Sequence, residues 1–107
     1  MRILIDECVD QRLRLLFVGH ECQTAVYAGL AGLKNGFLLT AAEAAGFNVL
    51  VTTDQEIPFQ QNLSGRKIAI IVLGAPTNRL DVLKHLIPEA LRVLDDIRPG
   101  QVVSISQ

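Results

Sequence analysis

The most constraining feature of the sequence is an uninterrupted apolar run, Ile68 to Leu73, in the second half of the chain. A strand with one solvated face alternates apolar and polar residues, whereas a strand covered on both faces is apolar throughout. The run therefore predicts a central strand of a parallel sheet. Because parallel neighbours need long crossover connections, usually helices, this strand favours the α/β fold class.

The remaining segments supply the other strands and helices of such a sheet, according to their apolar spacing. Further strands are expected at Ile3–Ile5, Glu21–Tyr27, Asn48–Thr53 and, near an edge, Val102–Ile105. Helices are expected at Val9–Phe17, at Phe37–Ala45 closed by Gly46, after an N-cap at Asn78 with Asp81, and after Pro88 in a first turn. The order β-α-β-α-β-β-α-β predicts a Rossmann-like, mostly parallel sheet of four to five strands with helices on both faces.

Length and composition limit the class of protein. The chain has 107 residues, half of them apolar, which suits one domain over residues 1–107 with its own core. A net charge of −1 argues against binding a polyanion through bulk charge. Because no apolar stretch is long enough for a membrane span or a secretory leader, we expect a soluble cytoplasmic protein. Cys8 and Cys22 form no CxxC pair and are expected to be small buried residues.

Two of the predicted strands end in acidic residues. Asp6 and Glu7 follow the first strand, and Asp54 follows the strand Asn48–Thr53. Ligands of open α/β sheets bind outside the carboxyl ends of the strands, so these acids are expected to share a cleft. Neighbouring carboxylates repel one another unless a proton or a cation intervenes, and Mg²⁺ favours carboxylate oxygens. Asp6 and Asp54 are therefore the predicted catalytic and metal-binding residues, with Glu7 as a helper.

The same acids also have a purely structural interpretation. An acid at a helix N-terminus is stabilised by about 0.3–1 kcal/mol through the helix dipole, and Asp is a good N-cap. Taken alone, Asp6, Glu7 and Asp10 fit that interpretation as well as the functional one. Asp54 alone fits an ordinary turn after a strand. Only the expected meeting of Asp6 and Asp54 favours a functional site.

Polar and basic residues around these acids are candidates for substrate contacts. Thr52 and Thr53 either orient Asp54 by hydrogen bonding or are simply β-formers. The residues after Asp54 that either line a substrate path or form a solvated loop are Gln61, Asn62, Arg66 and Lys67. The candidates for phosphate contacts, or for ordinary surface cations, are Arg12, Arg14, Lys34 and Arg79. The predicted substrate-binding set is Thr53, Asn62, Arg66 and Lys67.

Several segments of the chain resemble a family of small PIN-like domains. They are Ile3-Leu-Ile-Asp-Glu-Cys8, Gly32-Leu-Lys-Asn-Gly-Phe-Leu-Leu39 and Val49-Leu-Val-Thr-Thr-Asp54, with further similarity in Pro58–Asn62 and Gly65–Ile68. The family includes proposed toxins of toxin–antitoxin pairs. The resemblance implies a Rossmann-like ribonuclease that uses Mg²⁺ or Mn²⁺, with RNA as substrate and a protein antitoxin as partner. Asp6 and Asp54 match two of the family's metal-binding acids.

The chain departs from the family pattern between these two acids. Relatives commonly carry Asp-x-Glu at the start of the middle helix, where this sequence has Asn35-Gly36-Phe37. Asn35 offers a metal only a neutral carbonyl oxygen, and Phe37 offers no ligand. Relatives often have another acid shortly after the position of Asp54; Glu56 is the nearest one here and is out of register. Fewer negative charges weaken the binding of a divalent cation, so weakened activity is expected.

Two other classes of function fit the same residues. A receiver-like signalling domain would use Asp6 and Glu7 as an acidic pair and Asp54, four residues before Pro58, as phospho-acceptor. The short segment between the Asp54 strand and the next one leaves little room for the helix such a domain needs. A catalytically inert PIN-like domain, which binds protein or nucleic acid or forms a homodimer, would use the acids only as helix caps.

Overall fold

The protein has one five-stranded sheet in the part of the chain that its computed structural model describes, residues 1–57 and 62–106 without the side chain of Asn35. The order is β2-β1-β3-β4-β5, and every neighbouring pair is parallel. The strands are β1 (Arg2–Ile5), β2 (Glu21–Thr24), β3 (Val49–Thr52), β4 (Ala69–Gly74) and β5 (Val102–Ser106). The α/β class, the parallel sheet and the edge position of the last strand are thereby confirmed.

Helices connect the strands on both faces of the sheet, as the sequence predicts. The α-helices that lie wholly within the described ranges are α1 (Asn35–Ala44), α2 (Leu80–Leu83) and α3 (Ile87–Leu94), and the 3-10 helices are Gln11–Leu16 and Lys84–Leu86. Pro88 lies in the first turn of α3, where its missing N–H costs no hydrogen bond. Gly46 follows α1 with φ of 86°, the left-handed backbone expected of a residue just past a helix end.

Strand residues alternate between two apolar cores, because successive side chains of a strand point to opposite faces. Ile3 and Ile5 of β1 face the core beneath the first 3-10 helix, α2 and α3. Leu4 faces the core beneath α1, which also contains Leu39 and Phe47. All four residues of β3 are buried, as a central strand covered on both sides requires.

The first connection and β2 differ in detail from the sequence prediction. The helix expected over Val9–Phe17 is the shorter 3-10 helix Gln11–Leu16, and its N-cap is Asp10. The expected strand Glu21–Tyr27 ends at Thr24, because the chain turns there and the Ala28 N–H donates to the Thr24 carbonyl at 3.0 Å. Val26 and Tyr27 therefore leave the sheet and lie exposed.

The N-cap expected at Asn78 is wrong. Helix α2 begins after Arg79, and no side chain caps it. The Arg79 N–H is satisfied by the Thr77 hydroxyl at 3.3 Å instead, and the Arg79 guanidinium pairs with Asp81 at 2.9 Å. Because Asp81 is occupied by this pair, it does not reach back toward the helix start as an acidic capping partner would.

The direction of winding reverses between β1 and β3, which are neighbours although β2 separates them in sequence. The order 2-1-3-4-5 is a common one for doubly wound sheets, and ligands of such sheets bind at this reversal, outside the carboxyl ends of the strands. The two strands stay paired to their ends, since the Asp6 N–H donates to the Val51 carbonyl at 3.0 Å. Asp6 and Asp54 lie directly beyond these paired ends.

No helix in the described part of the chain is long and apolar enough to cross a bilayer. The longest of them, α1, has ten residues, whereas a span needs about 20.

Candidate active site at the carboxyl ends of β1 and β3

A cleft of about 400 Å³ opens at the carboxyl ends of β1 and β3, where the winding reverses. It contains both predicted catalytic residues, Asp6 and Asp54, and the predicted helper Glu7. Its described lining residues are Asp6, Glu7, Cys8, Leu33, Lys34, Leu38, Thr53, Asp54 and Ile57. The expectation that the two strand-end acids share one cleft is therefore confirmed.

A buried threonine joins the two acidic segments. Thr52, the last residue of β3, is fully buried and is the one buried polar side chain among residues 1–57 and 62–106. Its hydroxyl donates to Asp6 Oδ2 at 2.8 Å and accepts the Asp54 N–H at 3.1 Å. Both hydrogen-bonding functions of one hydroxyl are thus used to fix Asp6 relative to the start of the Asp54 turn. Of the two sequence interpretations of Thr52, the orienting role has structural support.

The carboxylates of Asp6 and Asp54 each accept a local backbone hydrogen bond as well. Asp6 Oδ1 accepts the Glu7 N–H at 2.8 Å, and Asp54 Oδ1 accepts the Glu56 N–H at 2.9 Å. These bonds fix the side-chain rotamers without burying the groups, since both residues remain partly exposed at the cleft. Each carboxylate oxygen has about two lone-pair sites, so the four oxygens retain capacity to bind a ligand.

Helix capping is performed by a different acid, Asp10. Its Oδ1 accepts the Arg12 N–H at 2.9 Å, and its carboxylate pairs with the Arg12 guanidinium at 2.7 Å. These hydrogen bonds from Arg12 lower the pKa of Asp10 to about 2. Asp6 lies four residues earlier, outside the helix that Asp10 caps. The capping interpretation therefore applies to Asp10 and not to Asp6.

Glu7 lines the cleft while fastening a loop across it. Its Oε1 accepts the Gly32 N–H at 3.1 Å, which ties the loop before α1 to the end of β1. Leu33 and Lys34 follow in that loop and form the opposite side of the cleft. Glu7 thus shapes the cleft through this contact, and its role as a metal helper stays a prediction.

Two further polar residues of the cleft are Lys34, which the sequence offered as a phosphate contact or an ordinary surface cation, and Cys8, which was expected to be a structural residue. Lys34 brings an ammonium to the cleft that holds Asp6 and Asp54. Cys8 is exposed, so the expectation that it is buried is wrong. Its Sγ lies 3.4 Å from Thr53 Oγ1 and 3.6 Å from Asp6 Oδ2. The signal for Cys8 was its position two residues after Asp6, whereas no local signal in the sequence placed Lys34 at this cleft.

The second cysteine has no part in the site. Cys22 lies in β2 and packs against the core beneath the first 3-10 helix. Burial raises the pKa of its thiol to about 12, so the reactive thiolate form is scarce at neutral pH. The structural interpretation of Cys22 is consistent with this environment.

The predicted substrate-binding residues lie in different environments. Thr53 lines the cleft. Asn62 Oδ1 accepts the Ser64 N–H at 3.0 Å, and the Lys67 N–H donates to Glu43 Oε2 at 2.7 Å. Arg66 is ion-paired with Glu43 at 2.5 Å, so its guanidinium is already engaged. Gln61 lies outside the described residues.

The donor set of the cleft suits one kind of metal better than others. No group of three or more His, Cys, Asp or Glu among the described residues is arranged to hold a metal ion. Sites for Zn²⁺ need such a group, whereas Mg²⁺ is commonly bound by one or two carboxylates and keeps several waters. Asp6 and Asp54 match the second pattern. The side chain of Asn35, the predicted neutral ligand, lies outside the described part of the structure.

The geometry of the cleft is the main evidence for its function. Comparison with protein-family models, curated proteins and solved structures finds no match to this chain. The strand order, the position of the cleft at the reversal of winding and the hydrogen bonds of Thr52 are independent of any such match. Together they identify one place where acidic side chains meet outside the carboxyl ends of paired strands.

Proposed function

We propose that the protein is a metal-dependent ribonuclease of PIN-like type, with a Rossmann-like fold and Asp6 and Asp54 as its catalytic carboxylates. The observation that carries the proposal is the fully buried Thr52 hydroxyl, which bonds both the Asp6 carboxylate and the Asp54 backbone. Any buried hydroxyl needs hydrogen-bond partners, but here both partners belong to the acidic segments that follow β1 and β3. The hydroxyl therefore helps to hold two acids at the edge of a cleft large enough for part of a ligand.

Asp6 and Asp54 are the residues that would hold a divalent cation. Their oxygens suit Mg²⁺ or Mn²⁺, which prefer carboxylates and accept a site with few protein ligands. When bound, the cation would supply positive charge to offset that of a phosphodiester and of its developing transition state. Because Asn35 is neutral where relatives carry an acid, affinity for the cation is expected to be weak.

Other residues of the cleft would position the substrate. The Lys34 side chain gives the cleft a cation for a phosphate oxygen, and the Thr53 hydroxyl gives it a neutral hydrogen-bonding group. Leu33, Leu38 and Ile57 form an apolar wall on the side of α1. Such a wall excludes water and strengthens the electrostatic interactions of the polar groups opposite it.

The proposal includes a biological role as toxin of a toxin–antitoxin pair. The support for it is the resemblance of the strand-acid segments to the small PIN-like family. A protein antitoxin would then cover the cleft. A homodimer would be compatible with the proposal if the cleft at the carboxyl ends of the strands stayed open. Isolation of a stable complex with the product of a neighbouring gene tests this part separately from the chemistry.

A receiver-like phosphorylation module is the second candidate, because the strand order 2-1-3-4-5 is also that of receiver domains. In that case Asp54 would accept a phosphoryl group and Asp6 would bind the assisting Mg²⁺. The two candidates differ in what they do to Asp54: a nuclease leaves it unmodified, whereas a receiver carries phosphate on it.

The test is cleavage of a single-stranded RNA with and without added Mg²⁺ or Mn²⁺. The wild type is expected to cut the RNA only when the cation is present. The Asp6→Asn and Asp54→Asn variants are each expected to cut at least about a hundredfold more slowly, because each loses one charge of the acidic pair. Asp10→Asn is the matched control, because Asp10 caps a helix and does not line the cleft. Cutting without a cation, or full activity of Asp6→Asn, would contradict the proposal. Transfer of phosphate from a small phosphodonor to Asp54, with RNA intact, would favour the receiver.

A further inference from the structure

A second cleft, of about 430 Å³, adjoins the first one on the side of β2. The two clefts share Asp6 and Glu7 as lining residues, so they are neighbours at the carboxyl ends of the strands. The walls that belong to the second cleft alone are Val9, Gln11, Thr24, Val26 and Tyr27. None of these residues has a role in the proposed chemistry.

Tyr27 is the prominent residue of this second cleft. Its side chain is 79% exposed, and the neighbouring Val26 is 67% exposed. The backbone at Tyr27 is fixed from below, because the Tyr27 N–H donates to Thr24 Oγ1 at 3.1 Å and the Ala28 N–H donates to the Thr24 carbonyl at 3.0 Å. A tight turn thus presents an aromatic ring to solvent at the edge of a cleft, which is the arrangement of a stacking platform.

We propose that this second cleft binds one unpaired nucleobase of a single-stranded RNA, stacked against Tyr27. The inference rests on the proposed function, since it names how the RNA of that reaction is held. The described lining of this cleft contains no Lys or Arg, and Glu7 repels phosphate groups, so a phosphodiester is a poor occupant. A nucleobase is planar, uncharged and apolar on its faces, and it matches both the Tyr27 ring and the aliphatic Val9 and Val26.

The acids of the shared wall further limit which base fits. Ionised carboxylates only accept hydrogen bonds. Bases that carry an exocyclic amino group can donate to them, as cytosine does to Glu or Asp in nucleic-acid complexes. Uracil has no amino group, and its N3–H donor lies between two carbonyl oxygens that a carboxylate repels. The cleft therefore favours cytosine, adenine or guanine over uracil, and Tyr27 and Glu7 are the specificity-determining residues.

The composition of the chain provides a direct probe of this site. Tyr27 is the single tyrosine, and the chain has no tryptophan. The intrinsic tyrosine fluorescence of the protein therefore reports on Tyr27 alone. The protein to use is the Asp54→Asn variant, because Asp54 lines only the first cleft and its loss prevents cleavage during the titration.

The experiment titrates this variant with a single-stranded oligocytidylate, an oligouridylate and an RNA duplex, and follows both Tyr27 fluorescence and the anisotropy of labelled RNA. Oligocytidylate is expected to quench Tyr27 and to bind more tightly than oligouridylate, whereas the duplex leaves the fluorescence unchanged. Tyr27→Leu is expected to weaken the binding of oligocytidylate by about tenfold or more, and Tyr27→Phe by much less. Phe37→Leu is the control, since Phe37 is 81% exposed but lines neither cleft.

The remaining outcomes separate this inference from the proposed function. Unchanged fluorescence on adding any single strand, or equal quenching by the duplex, overturns the nucleobase site. A fluorescence change that depends on protein concentration without RNA shows a second copy covering Tyr27 and overturns it as well. Quenching by single strands in a protein whose wild type does not cut RNA supports the nucleobase site and refutes the ribonuclease. If the wild type cuts RNA but the Tyr27 fluorescence of Asp54→Asn is not quenched, the ribonuclease is supported and the nucleobase site is refuted.

Discussion

At the scale of single residues, the geometry of the proposed site depends on Thr52. Its side chain is fully buried, and a buried hydroxyl is costly unless both of its hydrogen-bonding functions are satisfied. Here they are, by the Asp6 carboxylate and the Asp54 N–H. From the sequence, Thr52 and Thr53 are indistinguishable, because both are β-formers beside Asp54. Only the fold separates their roles, because Thr52 ends β3 fully buried, whereas Thr53 lies beyond the strand and lines the cleft.

Replacement of Thr52 by valine removes this link while keeping the shape of the side chain. The Asp54 N–H and one Asp6 oxygen then lose their partner, so the free energy of unfolding is expected to fall by about 1–3 kcal/mol. Chemical denaturation measures that change. Divalent-cation affinity is expected to fall about 10–100-fold, because residues that orient metal ligands have effects of this size.

The control for this change is Thr52→Ser, which keeps the hydroxyl and removes one methyl group. Its cation affinity is expected to stay close to that of the wild type. A Thr52→Val protein that binds the cation as tightly as the wild type would show that the hydroxyl does not position Asp6.

At the scale of elements, α1 is fastened to the segment before β4 by several hydrogen bonds, of which Glu43 accepts two. Glu43 accepts hydrogen bonds from the Arg66 guanidinium at 2.5 Å and from the Lys67 N–H at 2.7 Å. Arg66 also donates to the Thr40 hydroxyl at 3.0 Å. Burial raises the pKa of Glu43, but the hydrogen bonds from Arg66 and Lys67 together outweigh it, so the pKa lies below the usual value. Arg66, predicted to contact substrate, is thus a structural residue in this state of the protein.

The lowered pKa of Glu43 predicts how this connection depends on pH. Folding favours the ionised carboxylate, so the contribution is present above the ordinary carboxyl pKa and is lost as pH falls through the lower pKa of the folded state. Glu43→Gln is expected to reduce the free energy of unfolding by about 1.5–3 kcal/mol at neutral pH and by progressively less below about pH 4. Urea denaturation over a pH series measures this difference.

The matched control is Asp81→Asn. Its ion pair with Arg79 is well exposed, with side chains 72% and 55% accessible, so a loss below about 1 kcal/mol is expected. A pH-independent effect of Glu43→Gln would show that the ion pair is not the source of its stabilisation.

Some strands and helices of this protein are predictable from the sequence, and others are not. The strands at Ile3–Ile5, Asn48–Thr53 and Ile68–Leu73 were predictable because a doubly covered strand has to be apolar throughout. The helix at Val9–Phe17 was predicted as longer than it is, since apolar spacing does not distinguish a 3-10 helix from an α-helix over so few residues. The predicted N-cap at Asn78 was wrong because the Thr77 hydroxyl, and not the Asn78 side chain, accepts a hydrogen bond near the start of α2, from the Arg79 N–H.

At the scale of the whole molecule, the strand order determines where the site can be. Neither Asp6 nor Asp54 is distinctive in sequence, and their separation along the chain gives no information about their distance. The pairing of β1 with β3, rather than of β1 with β2 alone, brings them to one cleft. The alternation of strands and helices predicted that arrangement. The sequence left two interpretations open for Thr52 and for Lys34, and it placed Tyr27 inside a strand. The positions of these three side chains at the clefts depend on side-chain directions that only the folded chain defines.

The central claim, that Asp6 and Asp54 form one cation site, is tested most directly by titrating isotope-labelled protein with Mn²⁺ and recording the loss of amide signals in its NMR spectrum. Paramagnetic broadening is expected first at the amides of Asp6, Thr53 and Asp54, and excess Mg²⁺ is expected to reverse it. The same broadening is expected to need at least about tenfold more Mn²⁺ in the Asp6→Asn or Asp54→Asn variant. The Asp10→Asn protein is expected to respond as the wild type does. Broadening that begins elsewhere, or that is unchanged in both cleft variants, would contradict the claim.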